Sequence, residues 1–183
     1  YSLSILNRSF VNALSKCGYH VSLKNTEGFG DYDTNLDYLK QYSSIYSIFK
    51  QSKTHKEDFA FLCRNLYPPR VNDMDCRFNI LHSYGWEESE FPKKWINDFN
   101  LNLQGLSLMS QQVKKTLIDN GVKLPMKVTR LGLDHIREVK VDSAFTVQAK
   151  KYKILHISSC FPRKSIDILI KSYGLAFDCN DQV

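Results

Sequence analysis

Four stretches hold residue types that can do chemistry. The densest is His82-Ser83-Tyr84-Gly85-Trp86-Glu87-Glu88-Ser89. A histidine at a strand end can accept a proton, the two carboxylates can accept hydrogen bonds from hydroxyls, and the indole offers a stacking face for a sugar ring. The same residues have a plainer use, as a core histidine followed by an acidic pair at a helix start, and spacing leaves open whether Glu87 or Glu88 faces a cleft. A second stretch, Arg64-Asn65-Leu66-Tyr67-Pro68-Pro69-Arg70, sets two guanidinium groups on a proline-stiffened turn, where they could hold a phosphate or sugar hydroxyls. Leu131-Gly132-Leu133-Asp134 pairs a glycine that permits close backbone approach with a hydroxyl-binding carboxylate. Ser158-Ser159-Cys160-Phe161-Pro162-Arg163-Lys164 brings hydroxyls, amides at a helix start and two cations, a set suited to a diphosphate, with solvated cations as the plain alternative.

The elements that must position these groups follow from hydropathy patterning. Leu3, Leu6, Phe10, Val11 and Leu14 recur at helical spacing, and Gly18 stands where a C-cap would stop that helix. Residues 19–23 read as a short strand, 35–50 as a helix, 59–63 and 78–82 as strands with a Pro68-Pro69 turn between them. Pro92 opens a helix through Phe99, 106–109 is strand-like, Ser110 caps a helix to Asn120 with Gly121 as its stop, and 126–131 is a strand. Tyr38, Tyr42 and Tyr46, at i, i+4 and i+8, form a stripe expected to pack on the sheet with its hydroxyls at the rim. Alternating strands and helices predict an α/β fold, a Rossmann-like parallel sheet with helices on both faces. Because Tyr1 already stands at a helix entrance, the first strand of such a sheet is expected to be missing. The polar passage 135–153 reads as a connector ending in Lys150, Lys151 and Lys153, followed by a strand at 153–158 and a helix at 165–177. The expected organisation is a domain over 1–150 and the first strand-helix unit of another over 151–183.

Composition excludes several classes. With 183 residues, 43% hydrophobic and 13% aromatic, the chain is neither disordered nor a coiled coil, and no apolar run approaches the ~18 residues of a membrane span. Twenty-five Lys and Arg against 19 Asp and Glu leave a charge of +6, which favours anionic partners and is compatible with peripheral membrane contact. Five widely spaced cysteines without a CxxC pair read as reduced thiols, mostly buried, in a cytoplasmic protein. His20, His55, His135 and His156 have no partners at ligand spacing, so neither a metal site nor a cofactor is expected.

Asn7-Arg8, Tyr67-Pro68-Pro69, Trp86-Glu87-Glu88-Ser89 with Pro92 and Trp95, Ser110, Gly121-Val122, Gly132-Leu133-Asp134, and Leu155-His156-Ile157 before Pro162-Arg163-Lys164 occur in order. In that order and spacing the chain resembles the group 1 retaining glycosyltransferases of GT-B fold, the large family that includes glycogen synthase. The likeness runs over nearly the whole chain. It implies two Rossmann-like halves, an N-terminal one for a saccharide or lipid-linked saccharide acceptor and a C-terminal one for the nucleotide-diphosphate sugar donor. It also implies glycosyl transfer with retention, usually without a divalent metal, through an oxocarbenium-like state.

Carried over, Lys164 matches the lysine on the donor phosphates and Ser159 takes the place of a helping arginine, for which Arg163 is a nearby substitute. Ser165 replaces the glycine that usually follows that lysine. His82 is the candidate for the histidine beside the transferred sugar, with Glu87 as the alternative, and Gly132 and Asp134 match the glycine and aspartate that close the first half. Arg64, Asn65, Tyr84, Trp86 and Glu88 are the remaining acceptor or cleft candidates. The family's glutamate pair, deep in the second half, has no counterpart here, so the 183-residue chain alone is expected to show no turnover.

Two rival classes remain. One is a non-catalytic Rossmann-like module for an anionic glycan, lipid or nucleic acid; nucleic acid is disfavoured because the aromatics fall mainly on helices and loops. The other, a dehydrogenase, would need a GxGxxG turn, which the chain lacks.

Overall fold

The computed structural model describes residues 2–25, 34–54, 58–137, 139–148 and 150–183, so Tyr1 and His55 lie outside the described residues. The chain divides into two compact units, Tyr1–Glu138 and Val139–Val183.

The first unit is built on four parallel strands in the order β1-β2-β3-β4: Phe61–Arg64, Phe78–Tyr84, Gly105–Leu108 and Met126–Val128. Phe61 stands opposite Phe78, Leu81 opposite Leu106, and Leu106 opposite Met126. Each strand pairs with the next in sequence, and parallel neighbours need a crossover. Those crossovers carry α4 (Lys93–Asn102) and α5 (Gln111–Asp119), while β1 reaches β2 through a loop holding Val71 and Met74. All three contribute to one core with Leu81, Tyr84, Leu106 and Leu108 of the strands. On the other face, α1 (Ser2–Lys16) meets β2 through Phe10 and His82. The fold is therefore α/β, a Rossmann-like parallel sheet flanked by helices, as the alternation of patterns predicts.

Local chemistry explains the helix ends. Gly18 takes a φ of +85°, a left-handed turn open to glycine, and the Tyr19 amide closes back on the Leu14 carbonyl at 3.1 Å. Ser110 Oγ accepts the Val113 amide at 3.2 Å to start α5, and Gly121, at φ +96°, ends it. Asn120 then ties that end to the loop before α4, since its Oδ1 accepts the Phe91 amide at 3.0 Å and its Nδ2 donates to the Ser89 carbonyl at 2.9 Å.

Several elements differ from the sequence reading. Residues 19–23 form no strand; the Leu23 amide donates to Ser52 Oγ at 2.8 Å instead of to a ladder. The single helix expected over 35–50 is two, α2 (Leu36–Lys40) and α3 (Ser43–Thr54), broken at Gln41-Tyr42. The tyrosine stripe survives the break but does not pack on the sheet: Tyr38 and Tyr42 are exposed with their rings in contact at 5.3 Å, Arg8 sits over the Tyr38 ring at 5.1 Å, and Tyr46 packs against Leu39, Ile45 and Phe49. The strand expected through Leu131 ends at Val128, because Arg130 turns into the left-handed region at φ +62°. Four of the five cysteines, Cys17, Cys63, Cys160 and Cys179, are exposed rather than buried, and Cys76 is half-buried; all five are free thiols.

In the second unit, residues 153–158 run without a ladder partner and so make no strand, leaving Ile154, Leu155 and Ile157 exposed. Lys150 Nζ donates to the Cys179 and Asp181 carbonyls at 2.8 and 2.6 Å, and the Tyr152 amide donates to the Gln182 carbonyl at 2.8 Å. A 3₁₀ turn at Pro162–Lys164 leads into α7 (Ile166–Ala176). Among the described residues no helix is long and apolar enough to cross a membrane.

Candidate functional site

Open parallel sheets bind ligands beyond the C-terminal ends of their strands, and in the first unit that edge is polar. Its layout begins with an irregularity in β2. Leu81 pairs with Leu106 and Tyr84 with Leu108, so three steps along β2 match two along β3. The extra residue is absorbed near Ser83, whose φ of +48° is strained for a residue with a side chain. The bulge returns Tyr84 to the face of Leu81, in edge contact with Phe91 and Phe99, and leaves His82 facing α1.

His82 is only 4% exposed. Phe10 stacks on its ring at 4.4 Å and 18°. Asn7 Nδ2 donates to the Asn65 carbonyl at 3.2 Å, which leaves Asn7 Oδ1 to face the imidazole Nε2 at 2.7 Å, so Nε2 carries the proton. Asn65 in turn donates to the Ser83 carbonyl at 3.1 Å, the Ser83 amide donates to Ser107 Oγ at 3.3 Å, and Ser107 Oγ lies 2.6 Å from Thr129 Oγ1. One chain of hydrogen bonds thus runs from α1 across the ends of all four strands. Burial pushes the imidazole pKa down to about 4, so the ring is neutral at physiological pH and acts as a hydrogen-bond partner rather than a charged acid.

The other candidates separate into sequestered and exposed. Arg64 is 8% exposed, and its Nη1 donates to Asp73 Oδ1 at 2.6 Å and to the Arg70 carbonyl at 2.7 Å. That hydrogen bond, more than the charge itself, holds the Asp73 carboxyl below its ordinary range. Arg64 therefore braces the β1–β2 loop, and its guanidinium is taken up by Asp73. Tyr84 is 2% exposed, and burial raises its phenol far above the usual range, which makes it core. Trp86 is half-buried, donates Nε1–H to the Glu90 carbonyl at 2.8 Å, and meets Phe91 and Trp95 edge to face. Glu87 and Glu88 are exposed beside it, and neither caps α4, whose N-cap is Pro92. Gly132 is exposed with open space around it, and Asp134 opens the four-residue α6 (Asp134–Arg137), its side chain outside the described ones.

In the second unit Ser159, Arg163 and Lys164 are exposed around the 3₁₀ turn. The turn closes with the Lys164 amide on the Phe161 carbonyl at 2.8 Å and the Ser165 amide on the Pro162 carbonyl at 3.0 Å. Ser165 then adopts φ +52°, ψ +38°, the left-handed region that costs an L-residue about 1 kcal/mol relative to glycine. Ser165→Gly is expected to stabilise this unit by about that amount, read as a raised unfolding midpoint of α7; an unchanged or lowered midpoint would contradict the backbone conformation at Ser165.

Sequence reasoning sets Asn65 and His82 in two separate stretches after strand ends, with Ser83 only a member of the second, and does not single out Ser107, Thr129 or Asp73. Asn7 carried a detectable signal: a polar residue set between Leu6 and Phe10 on the apolar stripe of a helix demands a partner on whatever that stripe covers. Among the described residues no group of three or more metal-ligating side chains comes together. Searches of family models, curated proteins and solved structures find no match to this chain.

Proposed function

We propose that the chain is the acceptor-side domain and the opening donor-side element of a retaining glycosyltransferase that uses a nucleotide-diphosphate sugar. The observation that carries this reading is the backbone at Ser165. The resemblance calls for glycine directly after the phosphate-binding lysine, and the residue after Lys164 takes the left-handed conformation for which glycine is suited. The tight turn before it presents Arg163 and Lys164 at the start of α7, where cations and helix amides favour a diphosphate. The polar strand ends of the first unit suit a neutral, hydroxyl-rich acceptor, a saccharide or a lipid-linked saccharide met in the cytoplasm or at the inner face of a membrane. In this scheme Lys164 and Arg163 neutralise charge building on the leaving diphosphate. His82, neutral and sealed beneath α1, holds the hydrogen-bond chain across the strand ends rather than carrying a proton.

The test is a radiolabelled transfer assay over a panel of nucleotide-diphosphate sugars, run on the 183-residue chain and on one continued by its natural downstream sequence. The longer chain is expected to transfer with retention, the shorter to show no turnover. Lys164→Ala in the longer chain is expected to weaken donor binding about tenfold, as for the loss of one charge-assisted hydrogen bond, and Lys164→Arg to restore most of it. Robust turnover by the 183 residues alone, or donor affinity indifferent to Lys164, would overturn the assignment.

A further inference from the structure

The helix α1 lies over the C-terminal part of β2 with an unusual attachment. Of its described side chains, 3 to 16, none is buried. Among the described residues, the hydrogen bonds and ring contacts joining it to the sheet edge all pass through two residues, Asn7 and Phe10, and both converge on His82. Its remaining bonds go to neighbouring helices: Arg8 Nη2 donates to the Tyr38 hydroxyl at 3.3 Å and Ser44 Oγ to Asn12 Oδ1 at 3.4 Å. Those are surface contacts, worth little against water.

The dock itself is incomplete. With Nε2–H given to Asn7, the other ring nitrogen, Nδ1, is buried and has no hydrogen-bond partner among the described residues. An unsatisfied buried acceptor weakens the closed arrangement, and a proton placed on it would leave a buried N–H with nothing to receive it. Lifting α1 away gives that nitrogen to water.

We propose that α1 is a displaceable cover latched by the neutral His82 ring, and that protonation of His82 releases it, baring Asn65, His82 and Ser83 at the ligand-binding end of the sheet. Among the described residues, burial shifts the ring and no neighbouring charge is among the causes. The groups that meet the ring, Asn7 and Phe10, do not titrate, nor does Asn65, which accepts from Asn7. The cations on the same stretches are engaged elsewhere, Arg8 by Tyr38 and Arg64 by Asp73, while Tyr84 lies on the opposite face of β2. The sign follows from linkage. A docked imidazole that titrates near 4, against 6.5 when free, keeps full docking strength above 6.5 and loses it as pH falls from 6.5 towards 4. Across that window the docking equilibrium weakens by up to about 300-fold.

The experiment is an amide NMR titration of the ¹⁵N-labelled 183-residue chain from about pH 7 to about pH 4. Resonances of α1 are expected to move together to undocked positions with the midpoint of the His82 ring, while those of β2 to β4, α4 and α5 stay in place. His82→Gln keeps a donor towards Asn7 but cannot titrate, and is expected to abolish the α1 transition. Asn7→Leu is expected to shift α1 towards its undocked positions already at neutral pH. The proposal fails if α1 stays docked while His82 titrates, if the whole sheet unfolds with the same midpoint, or if His82→Gln leaves the transition intact. None of these readouts involves glycosyl transfer, so they stand or fall apart from the proposed activity.

Discussion

Phe99→Ala is expected to lower the stability of the first unit by about 4 kcal/mol, seen as a matching fall in the urea midpoint with an unchanged slope. Phe99 is 1% exposed at the centre of the core, with Tyr84 edge-on at 5.5 Å and Phe91 at 5.4 Å. Phe91 in turn supports Trp86 and Trp95. Alanine would remove ring–ring contacts and open a cavity that the parallel sheet beneath cannot collapse to fill. The loss should spread to the segment after β2, because the Trp86 ring that anchors Glu87 and Glu88 rests on the same cluster. Its indole fluorescence should therefore shift red in the folded variant. A cost below about 2 kcal/mol would mean that the aromatic cluster is not packed as described.

The second large effect is expected at Asn79, a residue no motif pointed to. It is 5% exposed in β2, yet its side chain serves three backbone groups: Oδ1 accepts the Cys76 amide at 3.1 Å, and Nδ2 donates to the Met74 carbonyl at 3.0 Å and the Asn102 carbonyl at 3.3 Å. It thereby ties the β1–β2 loop and the end of α4 to the central strand. Asn79→Ala strands these buried groups, and at 1–3 kcal/mol for an unmet buried partner, partly relieved by water entry, the expected cost is about 3 kcal/mol. Asn79→Leu, which fills the volume but meets none of the bonds, is expected to do no better. Recovery of stability in the leucine variant would show that packing, not hydrogen bonding, is what this position supplies.

These two residues also mark what was legible in the sequence. Phe99 falls in the helix that Pro92 opens, and the strands expected at 78–82 and 106–109, found at Phe78–Tyr84 and Gly105–Leu108, follow from short apolar runs between turn residues. Capping chemistry at Ser110, Gly18 and Gly121 is local and therefore readable. The segments 19–23 and 153–158 have the composition of strands, but a strand exists only when a neighbour accepts its ladder, which no local pattern reports. The break at Gln41-Tyr42 was hidden because both halves share one helical phase.

At the candidate site, residue types were found more readily than orientations. Arg64 has the chemistry of a phosphate ligand, but Asp73, nine positions on, claims it. Tyr84 is a cleft candidate by its place after a strand end; the extra residue near Ser83 turns it into the core instead, and bulges leave little trace in composition. The Asn7–His82 bond spans most of the first unit and could be anticipated only by asking what a polar residue on an apolar helix face must meet.

The order β1-β2-β3-β4 has a kinetic corollary. Because every strand is neighbour to its successor, the sheet needs no distant segment to begin assembling. It can be laid down in the direction of synthesis, β2 joining β1 and each later strand closing one modest loop, a sequence of cheap steps for a parallel architecture whose closures are otherwise slow. Only α1, made before β1 to β4, must wait for β2 to emerge before it can meet His82.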